Sequence, residues 1–472
     1  GHTYAMDQLW YQTRVRGVAS CALSIVLLAG IHGCAKSPAA SDGGVVDPLS
    51  GAVIISAGSP RPRMTSALGT SYWSWPPTWG SLLPATAAPV LELAPFVLRI
   101  GGYNNDANTP DPFDEAQIDL AIAYAHSIGA DVILQAPLLV DATGAVPSAD
   151  TAAAMVKYVN VTKGYGVKYF SVGNEPDLYP DATGATKGIQ GYTPAGYCAS
   201  ATAYAAAMKA ADPTIKLVGP DLSWKYQQSG PTDWLTPILQ MCGSAFDIIS
   251  VHRYPLDPAQ TTVANAAGDA ARLRTTIAHL QSILQATGNG DKPLAITECN
   301  ITWDGSPEKS ILPASPGTVP AALWTADARG VGLEAGLWST IFWSTREGWS
   351  LGLFAAADGK PQPAYWALEL FAAHFGPTLI AVSATPAGVH AYASRNAAND
   401  TTQVVVVNWN QAPAKLTFNV VDLPAAPPAT IFVLPSLSFG AIDIPDIGAP
   451  TAVVYGDKEH RANLPPQPLP AP

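Results

Sequence analysis

The chain has 472 residues, 48% of them hydrophobic and 13% charged, with a formal net charge of −11. This balance excludes a disordered chain. The acidic surplus, with no long basic run, argues against nucleic acid binding. Most of the thirteen Trp and seventeen Tyr belong in a core, though aromatic faces on an acidic surface also suit sugar rings.

At the N-terminus, Arg14 and Arg16 precede an apolar stretch, 17–30, that is too short to span a bilayer. It runs into Ile31-His32-Gly33-Cys34 and then a small, polar, Gly-rich stretch. The pattern reads as an export signal over 1–34 and a linker over 35–48. It resembles a bacterial lipoprotein signal with Cys34 as the lipidated residue and membrane anchor, an ordinary secretory signal being the alternative. An exported location follows: periplasmic, cell-surface or extracellular. Of the remaining cysteines, Cys198 and Cys242 could form one disulfide after export or stay as buried thiols, and Cys299 is left over. No spacing suits zinc.

From 66 to 375, apolar runs alternate with helical periodicity. Strands are predicted at 66–73 and 96–101, a helix at 114–129, a strand at 131–136 and a helix at 151–161. A strand at 168–172 and an Ala-rich helix at 194–211 follow. The alternation goes on with strands at 216–220, 247–252, 293–297 and 337–343, and helices at 232–241, 264–285, 320–334 and 363–374. Eight strands alternating with helices fit a (β/α)8 TIM barrel, here placed at 49–375, better than an open doubly wound sheet. The first strand is followed by no Gly-rich phosphate loop, which speaks against a dinucleotide fold. After Gly376 the runs 389–394, 403–408, 415–420 and 431–434 are short, β-branched and separated by Pro, Gly and Asn. They predict a C-terminal antiparallel β-sandwich over 376–456, completed by 52–56 from before the barrel, with a loose tail over 457–472.

Barrel enzymes carry their working groups at the C-terminal ends of strands. In order, those ends hold Arg99, Asn174 and Glu175, Asp221, His252 and Tyr254, Glu298, and Trp343. Glu175 and Glu298 each terminate an apolar strand, the fourth and the seventh, where packing gives a carboxylic acid no reason to be. Two facing carboxyls are the equipment of glycosidic bond hydrolysis, one acting as acid and the other as nucleophile or base. Trp73, Trp303 and Trp343 are candidate sugar platforms, and Tyr103-Asn104-Asn105-Asp106 forms a polar loop after the second strand. A lone strand-end His does not make a metal site, and neither metal nor cofactor is expected.

Asn174-Glu175-Pro176 on strand four with Glu298 on strand seven resembles the retaining glycoside hydrolases of clan A. Within that clan, Leu98-Arg99-Ile100-Gly101-Gly102 and Val172-Gly173-Asn174-Glu175-Pro176-Asp177-Leu178-Tyr179 resemble family 79, which includes β-glucuronidases and heparanase-like enzymes. The resemblance implies Glu175 as general acid/base, Glu298 as nucleophile, Asn174 on the sugar 2-hydroxyl and Arg99 beside Glu298. It also puts Tyr254 and His252 around the nucleophile, with Tyr103, Asn104, Trp303 and Trp343 lining the substrate pocket. The implied partner is an oligosaccharide, polysaccharide or glycoconjugate. The run Cys299-Asn300-Ile301-Thr302-Trp303 departs from the family 79 pattern. A xylosidase, endoglucanase or arabinofuranosidase of the same clan is the alternative, and a non-catalytic carbohydrate-binding lipoprotein the more distant one.

Overall fold

The structure, a computed structural model, describes residues 48–72, 83–107, 114–140, 146–181, 188–227 and 229–470. The export signal, Cys34 and Trp73 lie outside the described residues. Eight parallel strands close into a barrel in chain order: β2 Leu68–Tyr72, β3 Val97–Ile100, β4 Asp131–Ala136, β5 Tyr169–Val172, β6 Lys216–Leu222, β7 Ile248–Arg253, β8 Leu294–Cys299 and β9 Thr340–Phe342. The helices around it are α1 Ala87–Glu92, α2 Tyr103–Ala107, α3 Glu115–Ser127, α4 Ala149–Val156, α5 Pro194–Ala211, α6 Leu235–Cys242, α7 Val263–Ala267, α8 Asp269–Ala286, α9 Val319–Glu334 and α10 Pro363–His374. The single helix expected over 264–285 is two, α7 and α8, which meet at Gly268.

The strand period of two explains how the barrel is filled and where its chemistry sits. Val97, Ile133, Tyr169, Val218, Ile248, Ala295 and Ile341, one residue from each of seven strands, form a separate inner apolar cluster closed by Trp338. Their chain neighbours Leu98, Leu134, Phe170, Leu217, Ile249 and Ile296 pack outward against the helices. Two residues further along the inward face come Arg99, Gln135, Ser171, Ser250 and Thr297, all buried. An apolar floor thus lies beneath a polar layer at the C-terminal ends of the strands, where barrel active sites form.

Helix starts are fixed locally. Thr193, Thr318, Ser148 and Asp114 each accept a backbone N–H from the first turn of the helix that follows. Cys198 on α5 and Cys242 on α6 form the disulfide that the sequence left open, with a Cα–Cα separation of 5.5 Å. Closing a loop of 44 residues in the unfolded chain stabilises the fold by about 4 kcal/mol in the chain-entropy view.

The remaining strands build one nine-stranded sheet in the order β14 (Thr430–Leu434), β13 (Ala414–Val421), β1 (Leu49–Pro62), β10 (Thr378–Ala384), β11 (Val389–Arg395), β12 (Thr401–Asn408), β15 (Ser438–Pro445), β16 (Thr451–Tyr455) and β17 (Gln467–Pro468). The chain enters this sheet before it enters the barrel. β1, Leu49–Pro62, pairs antiparallel with β10, Thr378–Ala384, and parallel with β13, Ala414–Val421, so the barrel strands begin at Leu68 and not at residue 49. β11 Val389–Arg395, β12 Thr401–Asn408, β14 Thr430–Leu434, β15 Ser438–Pro445 and β16 Thr451–Tyr455 complete the antiparallel part. On β12, Val404 and Val406 enter the sheet's own core, while Val405 and Val407 join the cluster formed by the barrel helices. Burial on both faces is why 404–407 reads as an unbroken Val run. At the seam, buried Asp327 of α9 accepts from His390 Nδ1 at 2.7 Å, Tyr392 Oη at 2.8 Å and Trp409 Nε1 at 2.8 Å. Past residue 456, where the composition suggests a loose tail, the helix α11 Asp457–Arg461 and the short strand β17 Gln467–Pro468 form, the latter paired with β16. Among the described residues, no helix is long and apolar enough to cross a membrane.

Candidate active site

The barrel directs a dense polar cluster to its C-terminal end, organised around one cation. Arg99 at the end of β3 is fully buried. Its Nη1 donates to Glu298 Oε2 at 2.9 Å, and its Nη2 to Asn174 Oδ1 at 2.8 Å and Asp221 Oδ2 at 3.3 Å. The planar fork of a guanidinium suits this role, since one rigid group fixes three side chains from three strands. Tyr254, just after β7, donates its hydroxyl to the other Glu298 oxygen, Oε1, at 2.5 Å. His252 lies fully buried between the acids, with Nδ1 3.0 Å from Glu175 Oε1 and 3.7 Å from Glu298 Oε2.

The chain around Glu175 has the shape that this placement demands. Gly173 has φ +71, and a Cβ there would stand 2.6 Å from Leu138 Cδ1 and 2.8 Å from Tyr179 Oη, so only glycine fits. Glu175 itself is left-handed at φ +48, a conformation that costs a non-glycine residue on the order of 1 kcal/mol or more. Neighbouring groups hold it there. The Glu175 amide donates to the Asp221 carbonyl at 3.1 Å. Asp177 accepts backbone N–H bonds from Ser223, Trp224 and Lys225 at 2.9, 3.1 and 3.1 Å. The turn after β5 is thereby tied to the turn after β6.

Three buried acids complete the site without having been given roles from sequence. Asp221, also left-handed at φ +53, accepts at Oδ1 from Ser250 and Thr297 hydroxyls, both at 2.5 Å. His252 Nε2 stands 3.9 Å from the same oxygen. Burial works against the Asp221 charge, but Arg99 and these donors outweigh it and hold its carboxyl below the usual range. Asp106 on α2 accepts from the Tyr179 hydroxyl, from Leu138 N at 2.8 Å and from Asn174 N at 3.2 Å, and so fixes the backbone of Asn174. Burial pushes the Asp106 carboxyl up to about 7. Asp177 is the third. In sequence each is one more acid near a strand end. Their partners come from other strands and loops, so no local pattern announces them.

Glu298 is pulled both ways. Burial pushes its carboxyl above the usual range and Glu175 adds to this, while His252, Arg99 and the Tyr254 hydroxyl pull it back. Burial holds His252 below the ordinary imidazole range, which leaves it neutral at pH 7.

Among the other residues expected in the site, Tyr103 and buried Asn104 stand on α2, directly after β3. Trp303 lies half-buried in the loop after β8. Trp343 follows β9 and lies over Gly102, where an added Cβ would come within 3.0 Å of its ring. Asn300 Nδ2 donates to the Trp343 carbonyl at 2.6 Å, joining that residue to the loop after Glu298. Tyr103, Asn104, Trp303 and Trp343 all lie on segments that follow the C-terminal ends of barrel strands. Glu175, His252 and Glu298 bring three ligand-type atoms within 4.8 Å of one another, the one such group found among the described residues. Arg99, bonded to the same Glu298 oxygen, sets a fixed positive charge against a cation there.

No protein-family model matches the chain, and no curated protein does. Solved structures do. A family 51 α-L-arabinofuranosidase from Bifidobacterium longum aligns over 83% of this chain and 99% of its own, with TM-score 0.66 and 16% identity. A family 44 xyloglucanase from Paenibacillus polymyxa aligns over 84% and 100%, with TM-score 0.63 and 13% identity. A bifunctional glucanase-xylanase from a metagenome library aligns over 84% and 99%, with TM-score 0.63 and 16% identity. At such identities the likeness establishes a shared fold: the chain has the barrel-plus-sheet architecture found in these glycoside hydrolases.

Proposed function

We propose that the chain is a retaining glycoside hydrolase that cleaves a β-glycoside by double displacement, with Glu298 as nucleophile and Glu175 as general acid/base. The observation that carries this reading is the spacing of the two acids. An oxygen of each lies within 4.8 Å of the other. Double displacement wants carboxyls about 5–5.5 Å apart, whereas inversion needs roughly 6.5–9.5 Å to admit a water.

Hydrogen bonding divides the labour. Both Glu298 oxygens accept, one from Arg99, which is a donor only, and one from the Tyr254 hydroxyl. This is the environment of a carboxylate. Two anions this close do not both persist, so the proton of the pair resides on Glu175. Neutral His252, with its Nε2 proton toward Asp221, accepts at Nδ1 from the protonated Glu175. In the first step a Glu298 oxygen attacks the anomeric carbon, the glycosidic C–O bond breaks, and the Glu175 proton passes to the departing oxygen. In the second, Glu175 takes a proton from water, and that water's oxygen displaces Glu298 from the anomeric carbon, restoring the starting configuration. Arg99 occupies Asn174 Oδ1, leaving the amide N–H groups of Asn174 to donate to the sugar 2-hydroxyl. Because burial raises the Glu298 pKa, protonation disables the nucleophile early: kcat/KM falls on the acid side at a pH above the ordinary carboxylate range, as a pH–rate profile reads directly.

For the substrate, the family 79 resemblance of 98–102 and 172–179 supports a β-glucuronide. The second reading is a neutral pentoside or glucan, which the arabinofuranosidase and xyloglucanase folds favour. A panel of aryl glucuronide, xyloside, glucoside, arabinofuranoside and galactoside separates them. We expect the glucuronide to be turned over fastest. Turnover of the others alone removes the uronate reading, and an inert panel removes the hydrolase reading. The Cys198–Cys242 disulfide supports export to an oxidising compartment.

A further inference from the structure

Glu298 owes its direction to a break in the barrel's alternation. On β8, Ala295 and Thr297 face the interior and Ile296 packs outward among the helices. Strict alternation would turn Glu298 outward as well. Instead the register shifts. Val251 of β7 pairs with Ile296, but the next residue, His252, pairs with Glu298. On the other side Ile296 and Cys299 face Thr340 and Phe342 of β9. β8 therefore carries one residue more than either neighbour, a bulge of the kind that re-aims a side chain. Thr297 and Glu298 both point inward, to Asp221 and Arg99, and Cys299 returns to the outer packing.

The strand beside the bulge is gripped from outside the barrel. Arg253 stands between His252 and Tyr254, the two residues that touch the acid pair, and it pairs with Cys299 in the register. Its side chain points the other way: Nη1 and Nη2 donate to the two oxygens of Asp269 at 2.7 and 2.8 Å. Asp269 opens α8, and its Oδ2 also accepts the indole N–H of Trp324 on α9 at 2.7 Å. Arg253, Asp269 and Trp324 are all buried. Burial works against the Asp269 charge, but Arg253 and the indole outweigh it and keep the carboxyl below the usual range. A two-point contact between guanidinium and carboxylate fixes direction as well as distance. Tyr226 donates to the His252 carbonyl at 2.7 Å, so the end of β7 is held at two successive residues.

We propose that Arg253 and Asp269 are positioning residues for the nucleophile: their pair anchors the end of β7 to the helical wall and keeps His252 and Tyr254 in the shifted register that sets the Tyr254 hydroxyl against Glu298. They act through these two residues and not on the substrate. The proposal rests on the reading of Glu298 as nucleophile.

The test removes the pair without leaving a charge buried. In the double variant Arg253→Met with Asp269→Asn, the Asn keeps an acceptor for Trp324, and exchange of a buried ion pair for uncharged side chains is often neutral for stability. The variant is expected to keep a Tm close to that of the wild type. Its kcat is expected to fall on the order of 10²-fold with KM changed by less than about twofold. Glu298 faces His252, Arg99, Glu175 and the Tyr254 hydroxyl, and that hydroxyl lowers its pKa. Loss of the Tyr254 bond therefore moves the acid limb of the kcat/KM profile to higher pH, a shift that a merely structural role would not cause. If the double variant fails to fold, Arg253→Lys keeps the charge without the two-point grip, and the same limb shift is expected with a smaller loss of kcat. A folded variant whose acid limb stays at the wild-type pH would overturn the proposal, whatever its kcat. An inert wild type would count against the hydrolase reading instead, and crystal structures of wild type and variant then decide the anchor. In the variant, Tyr254 Oη is expected beyond hydrogen-bond distance of Glu298; the 2.5 Å contact preserved there would overturn the proposal.

Discussion

Glu298→Gln is expected to abolish turnover of every aryl glycoside the enzyme accepts, while leaving the folded structure and its Tm essentially unchanged. Gln keeps the side-chain shape and an acceptor for Arg99 but lacks the charge that attacks the anomeric carbon. Glu175→Gln behaves differently with leaving group. For poor leaving groups it should cost about 10²–10⁴-fold in kcat, the usual worth of a placed proton donor. For an activated dinitrophenyl leaving group, which departs without protonation, the first step should survive and the second become limiting. Parallel kinetics on the two leaving groups, with circular dichroism as the folding control, distinguish the roles. Near-full activity of Glu298→Gln would mean that the nucleophile lies elsewhere.

Arg99→Met is the most damaging substitution expected outside the two acids. Arg99 is the common partner of Glu298, Asn174 and Asp221. Its loss leaves two buried carboxyls without their cation, in the class of changes that destabilise by about 3–5 kcal/mol. The variant should unfold at distinctly lower denaturant concentration. Any protein that folds should bind and turn over substrate poorly even at the optimum pH, because nucleophile and 2-hydroxyl contact are both misplaced. Asp221→Asn sharpens the point: it retains acceptor and volume but withdraws the charge opposite Arg99 and His252. Its pH–rate profile should therefore shift even where its stability does not.

Much of this arrangement was legible in the sequence because it follows from alternation. Eight apolar runs spaced by helical periodicity imply a closed parallel sheet, and a Glu at the end of two of them stands out against their apolar surroundings. Arg99, Tyr254 and His252 could be named from strand ends alone, and the structure brings all three against the acid pair. Less legible was whatever depends on long-range pairing. The run 52–56 reads as part of the C-terminal sheet domain, but the full extent of β1, Leu49–Pro62, and its place between β10 and β13 are set by partners more than 300 residues away. Asp106 and Asp177 look like ordinary loop acids, and Asp221 shows only its strand-end position, until their donors arrive from other strands and loops. The run after Glu298 departs from the family 79 pattern, yet through Asn300 it reaches the Trp343 carbonyl, a contact that sequence order does not suggest.

Double displacement through Glu298 requires a covalent bond between that carboxylate and the sugar. The most direct measurement is to incubate the wild-type enzyme with the 2-deoxy-2-fluoro form of its best aryl glycoside, digest the protein and locate the adduct by mass spectrometry. A single glycosyl adduct, on Glu298, is expected. An adduct on Glu175 or any other residue, or no adduct together with a first-formed product of inverted configuration, would contradict it.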